Sequence, residues 1–195
     1  LNSAQVKSLT SSQLNALNAT SLQAIETADV GAMSSAQIAS LNSTQMNRLT
    51  TDQVQALTTD AVKALSTATV QALNTDQLSA LTSGQVQALS SGQLQALGTA
   101  QVRDMATTQL ANLSSTQIKA LTSSQLNILS LESLQAIETA DLKEMTTSQI
   151  NALSSAQSPV GLAPIHARQF VNFAAADTKA APAAKPAEAA KPATK

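Results

Sequence analysis

His166 is the only histidine in the chain, and it is therefore the only imidazole that could act as a general base. Serine and threonine are abundant enough to supply a nucleophile anywhere. A nucleophilic hydroxyl, however, needs a base within hydrogen-bond reach and a third group to orient that base. With no cysteine and no second histidine, such a system would rest on His166 alone. Carboxylates are the other groups able to do chemistry. Asp52, Asp60 and Asp76 lie at multiples of eight residues from one another, so they would form a ridge if units of eight stacked in register. A ridge of acids can attract a cation, yet the Gly-rich, Asp-bearing nonapeptide of calcium-binding coils is missing. GxGxxG, P-loop, HExxH and CxxC motifs are absent as well. The residues thus predict no catalytic, cofactor-binding or metal site and no enzyme. The three aspartates are expected to be solvated acids in first helical turns.

The same regularity that scatters these acids governs the whole chain. From Leu1 in steps of eight the sequence reads LNSAQVKS, LTSSQLNA, LNATSLQA, IETADVGA and onward, giving twenty octads that end at residue 160. Position 1 is Leu, Ile or Met in all twenty, and position 6 is Val, Leu, Ile or Met in nineteen, failing at Ser158. Position 2 is Ser, Thr or Asn in sixteen, position 3 is Ser or Thr in eighteen, position 5 is Gln in fourteen and position 8 is Ala in twelve. This agreement marks a tandem array. A longer echo lies over it: SLQAIETAD at residues 21–29 returns unchanged at 133–141, fourteen octads later. Duplication of a longer block accounts for it.

Eight is the wrong period for the simple elements. On one continuous helix each octad would rotate its apolar pair by about 80°, leaving the helix apolar on all sides. Coiled coils need seven or eleven residues. On a strand, positions 1 and 6 would face opposite ways. Local chemistry offers a third solution. If position 2 is an N-cap, position 5 is N3, and Ser/Thr-x-x-Gln is a capping box. Positions 1 and 6 are then N′ and N4, the pair that forms a hydrophobic staple. Leu49–Thr50–Gln53–Val54, Leu81–Thr82–Gln85–Val86 and Leu121–Thr122–Gln125–Leu126 carry the full pattern. Asp52, Asp60 and Asp76 fall at N2, where a carboxylate suits the helix dipole.

A helix restarted every eight residues is one to two turns long. Burying one Leu and one Val returns less than it costs to order eight residues, so no octad folds alone. The prediction is an all-α solenoid of very short capped helices, one per octad, with positions 1 and 6 inside. Position 7 would face water, and Ala at position 8 would allow close approach of helices. The alternative is a β-solenoid with stacked Ser/Thr rows. Such coils turn on Gly, Asn or Asp, and the chain has five glycines, while Ala, Leu and Gln favour helix.

Domain organisation follows from where the pattern stops. Residues 1–157 form the repeat solenoid. Residues 158–173, which include SPVGLAPIHARQFVNF with both phenylalanines, read as a C-terminal capping segment or, alternatively, a partner-binding peptide. Residues 174–195 are an Ala/Pro/Lys-rich tail of the kind that remains disordered. The chain starts in mid-pattern without Met, as a fragment or processed product would.

Composition excludes further classes. Residues 1–160 hold six Lys/Arg against ten Asp/Glu, and residues 161–195 hold five against two. Neither part has the dense basic face that neutralises phosphates, so nucleic acid is not an expected partner. No apolar run is long enough to span a bilayer, and without cysteine there is no disulfide framework.

The LTTDQVQAL unit at residues 49–57 resembles the octapeptide-repeat regions, LTTxQVxAL in style, of large bacterial secreted or surface proteins of the adhesin, haemagglutinin-like and RTX type. The resemblance covers residues 1–157. It implies an extracellular or cell-surface, non-catalytic stalk, and it carries no functional residues across. The unit also resembles the opening of the TAL-effector repeat, LTPDQVVAIA in style, but lacks that repeat's second helix and base-reading loop. The leading expectation is therefore an extended spacer or scaffold. A binding module that recognises a protein or polysaccharide through its repeated surface is the alternative, self-association is open to either, and an ice-binding Thr/Ser face is a remote third.

Overall fold

The computed structural model describes residues 3–137, 141 and 144–153. Across them the chain forms one helix of five or six residues per octad, from Ser3–Ser8 to Thr147–Ala152, and no strand among the described residues. This is the all-α solenoid expected from the octad chemistry. The expected cap at 158–173 and tail at 174–195, with His166, Phe170 and Phe173, lie outside the described residues.

Each helix begins where the capping box puts it. Position 2 is the N-cap with extended backbone, as at Thr50 (φ −71°, ψ 160°), and in most octads its side chain accepts from the N3 amide, here Gln53 N, though Glu26 makes no such bond. Asn serves equally at Asn18, Asn42 and Asn74. Gly98 and Ala106 have no side-chain acceptor and keep only the other half of the box, in which the cap N–H donates to Oε1 of Gln101 or Gln109 at 2.7 and 3.0 Å.

The helix ends after position 7 or 8, and position 1 is extended, as at Leu65 (φ −61°, ψ 142°). Where the helix runs to position 8, two extended residues, positions 1 and 2, make the corner. None of the described residues has positive φ, which explains how the array turns so often with so little glycine. The β-solenoid alternative depended on corners that this backbone does not use.

Packing follows a fixed step of three helices. Ser35–Ala39 packs on Thr59–Ala64, Thr51–Gln55 on Thr75–Ala80, and Thr107–Ala111 on Leu131–Ala136. Contacts made by individual side chains between turns span 25 to 31 residues, so a turn takes slightly more than three octads. Positions 1 and 6 line one continuous aliphatic core, with Val54, Val70, Leu94 and Ile118 completely buried. Among the described residues the Gln, Lys, Asn and Arg side chains at position 7 whose exposure is defined lie on the surface, as expected. Position 8 is not a uniform contact: Ala88 and Ala120 are buried, whereas Ala64 is exposed. A close approach falls at Gly31, where a Cβ would stand 2.9 Å from the Ala56 carbonyl oxygen.

Candidate functional site

Asp52, Asp60 and Asp76 stand exposed at N2 of helices Thr51–Gln55, Thr59–Ala64 and Thr75–Ala80, each in the first turn as expected. Asp60 has Lys63 at 4.0 Å. No cluster of three or more His, Cys, Asp or Glu is placed to hold a metal among the described residues. The charged pair Arg103–Asp104 is in direct contact at 2.7 Å, on the surface. Its hydrogen bond holds the Asp104 carboxyl below the usual carboxylate range and raises the guanidinium.

The repeated feature with the most specific geometry is the position-5 glutamine, and it does more than close a capping box. In Gln77 the Oε1 accepts the N-cap amide of Asn74 at 3.0 Å. Its Nε2 points the other way, to the turn below, and donates to the carbonyls of Met46 at 3.0 Å and Leu49 at 2.7 Å. Those acceptors are 31 and 28 residues earlier. The same pair of reaches recurs at Gln37, Gln53, Gln85, Gln93, Gln109, Gln117, Gln125 and Gln149. One primary amide thus satisfies a helix start on its own turn and a corner on the preceding turn. The position-1 carbonyl needs this donor because no backbone amide reaches it (the helical bonds begin from position 2, as in Val54 N to Thr50 O).

Sequence reasoning found the capping half of this device and missed the inter-turn half. The signal was present. Glu caps a helix as well as Gln does, yet Glu never occupies position 5 in twenty octads. A carboxylate has no N–H to give a carbonyl, so Gln in fourteen octads with Glu in none points to a second, donating contact.

Where Gln is replaced, the ladder is altered. Ala61 and Thr69 leave the carbonyls of Met33 and Leu41 with no side-chain donor among the described residues. Ser133 does the same to Met105. Asp29 and Asp141 substitute a different bond, accepting from Ser3 and Ser115 of the turn below, the latter at 2.5 Å. These two occurrences belong to the SLQAIETAD duplication, which thereby repeats a packing solution as well as a sequence.

Gln45 also departs from the pattern. It keeps the bond to Leu14 at 2.8 Å but has none to Leu17. The turns part there around a recess of about 660 Å³, lined by Asn15, Asn18, Asn42, Thr44, Gln45 and Arg48 among others. Amides, a hydroxyl and one guanidinium suit a polar ligand with many hydroxyls more than an apolar one. None of the residues that line it is aromatic.

With this geometry in view, the chain can be placed among known proteins. The family model described as ALTTAQ repeat matches residues 22–59, 60–91, 88–123 and 134–158, together well over half of the sequence. The chain belongs to the ALTTAQ repeat family. Each of the four matches is at least three octads long, so the matched unit is larger than a single octad. No curated protein matches the ALTTAQ chain. No described helix of the array is long and apolar enough to cross a membrane.

Proposed function

We propose that the ALTTAQ array is a non-catalytic spacer or scaffold within a bacterial surface or secreted protein. The observation that carries this reading is the ladder itself. From Gln77 to Gln125 every octad donates to the turn below through the same atoms at nearly the same distances. Among the described residues the main helix contacts join successive turns, so stability is local and length is set by repeat number. A device of this kind separates what stands at its two ends. The likeness of LTTDQVQAL to octapeptide regions of exported adhesin-, haemagglutinin- and RTX-type proteins supports a surface or secreted setting.

Insertion of a second copy of residues 21–132 after position 132 tests the spacer reading, because the SLQAIETAD duplication makes that junction in-register. Small-angle scattering should show the maximum dimension increasing in proportion to the added octads with an unchanged cross-section. A compact particle would reject it.

The recess at Asn15, Asn18, Asn42 and Arg48 favours a second reading, in which the surface binds a polysaccharide or protein. Arg48→Ala and substitution of exposed position-7 glutamines should weaken a binder on a glycan array and leave a pure spacer unaffected.

A further inference from the structure

The octad at residues 41–48 departs from the repeat in two ways that meet at one place. Its position-5 Gln45 makes no bond to the Leu17 carbonyl, and the turns part there around the recess of about 660 Å³ between the corner at residues 15–19 and the helix Ser43–Arg48. Its position 8 is Arg48, the one cation at that position in twenty octads, twelve of which have Ala there. Both walls of the recess belong to described turns of the array, joined by the packing of Ala19–Gln23 on Ser43–Arg48.

The groups left over in that space are nearly all donors. The Arg48 guanidinium is exposed, and no ion pair among the described residues includes it. Asn18 and Asn42 hold the same place in octads one turn apart, and each uses its Oδ1 at a helix start, accepting from Ser21 N at 2.9 Å and Gln45 N at 3.0 Å. A Ser or Thr cap would have no further nitrogen to offer, whereas Asn keeps an NH2 group. Neither Nδ2 has an acceptor among the described residues. Gln45 is 4% exposed, and its Nε2 donates to the Leu14 carbonyl at 2.8 Å but lacks the second acceptor that Gln77 and Gln85 have. Asn15 and Thr44 add an amide and a hydroxyl, and no carboxylate lines the recess.

One full positive charge, several N–H donors and few acceptors are complementary to a ligand with one carboxylate and many oxygens. A guanidinium meets a carboxylate through two parallel hydrogen bonds, and amides and a hydroxyl suit ring and hydroxyl oxygens. A phosphate monoester would bring up to about two charges to a single cation. An acidic peptide would set amide donors of its own against a wall of donors. The volume lies within the range of about 300–1,000 Å³ over which small ligands are enclosed.

We propose that the recess binds an acidic polysaccharide through one hexuronate unit, its carboxylate on Arg48 and its ring and hydroxyl oxygens on Asn18, Asn42 and Gln45. This rests on the reading of the recess as a glycan site and adds the class of sugar.

Isothermal titration of the full 195-residue chain with trimers of galacturonate, glucuronate and mannuronate, each beside its uncharged methyl ester, tests it. At least one acid trimer should bind, with an affinity that falls as salt is raised, and its ester should bind about tenfold more weakly or not at all. Arg48→Gln should reproduce the loss seen with the ester. Asn18→Ser and Asn42→Ser keep a cap acceptor, so helix content by circular dichroism should hold. Each removes an Nδ2 donor and should weaken binding about threefold or more. Gln95→Ser, exposed on a later turn, should change nothing. Equal binding of acid and ester, an affinity indifferent to Arg48→Gln, or a triglutamate peptide that binds as tightly as the best trimer would overturn the uronate assignment alone. Binding of no trimer in either form would overturn that assignment together with the glycan reading beneath it.

Discussion

The Nε2 of Gln77 lies 2.7 Å from the carbonyl oxygen of Leu49, one turn below and 28 residues earlier. Both groups are buried, and neither has access to water as a substitute partner. An unpaired polar group in such a place costs more than the bond itself contributes.

Gln77→Glu isolates this contact. The variant retains an oxygen for the Asn74 cap but offers the Met46 and Leu49 carbonyls a charge in place of two N–H donors. Unfolding in urea should show a loss of about 2–3 kcal/mol. The same change at Gln13, on the exposed first turns, should cost little within a monomer. If the two variants lose equal stability, the inter-turn bond is not what matters at position 5.

Ala61→Gln and Thr69→Gln test the converse. Each would restore a donor where the Met33 or Leu41 carbonyl now lacks one, within a helix that already has the standard N-cap. A gain of about 1 kcal/mol in unfolding free energy is expected for each. A loss from both would show that the turns at these octads have closed over the missing amide and cannot admit it.

The glycines at Gly31, Gly84 and Gly92 should respond with opposite signs. All three are helical, so replacement by Ala removes backbone freedom from the unfolded chain, an effect of about 0.5–1 kcal/mol in favour of folding. At Gly84 and Gly92 the new Cβ meets only Thr59 and Thr67 methyl groups at 3.9 and 4.0 Å, and the thermal midpoint should rise. At Gly31 it meets the Ala56 carbonyl at 2.9 Å, a backbone atom that cannot rotate away. Gly31→Ala should therefore lower the midpoint.

Ser115→Ala examines the substitute bond. It removes the hydroxyl that donates to Asp141 at 2.5 Å and leaves a half-buried carboxylate without that partner. A loss of about 1–2 kcal/mol is expected. Ser115→Ala combined with Asp141→Gln should recover most of it, because Gln can reach the Leu113 carbonyl as its equivalents do elsewhere.

Most of the fold was legible because the octad encodes its own boundaries. Thr50 and Gln53 specify a helix start through bonds three residues apart, and Leu49 and Val54 specify which side is inside; all four are local. The number of octads per turn was not legible, because it is fixed by contacts between residues 25 to 31 apart that leave no mark on an eight-residue window. Gln53 illustrates the divide. Its bond to Thr50 is written in the capping box, whereas its bonds to Leu22 and Ile25 follow only from how the turns stack. The octads with Ala61, Thr69 and Asp29 at position 5 are the places where the ladder is broken or rebuilt. No concentrated site was expected from the sequence, and the recess at Gln45 arises from one missing bond to Leu17, a detail that no residue type announces.

The corner built from two extended residues without positive φ has a consequence for heredity. Because no corner among the described residues needs positive φ, octads that carry the position-5 glutamine can follow one another, each glutamine reaching back by the same number of residues. Loss or gain of whole octads by replication slippage, always a multiple of three nucleotides and always ending where it began, reconnects the same bonds with new partners. A gene of this design can vary the span of its product without first passing through a misfolded form.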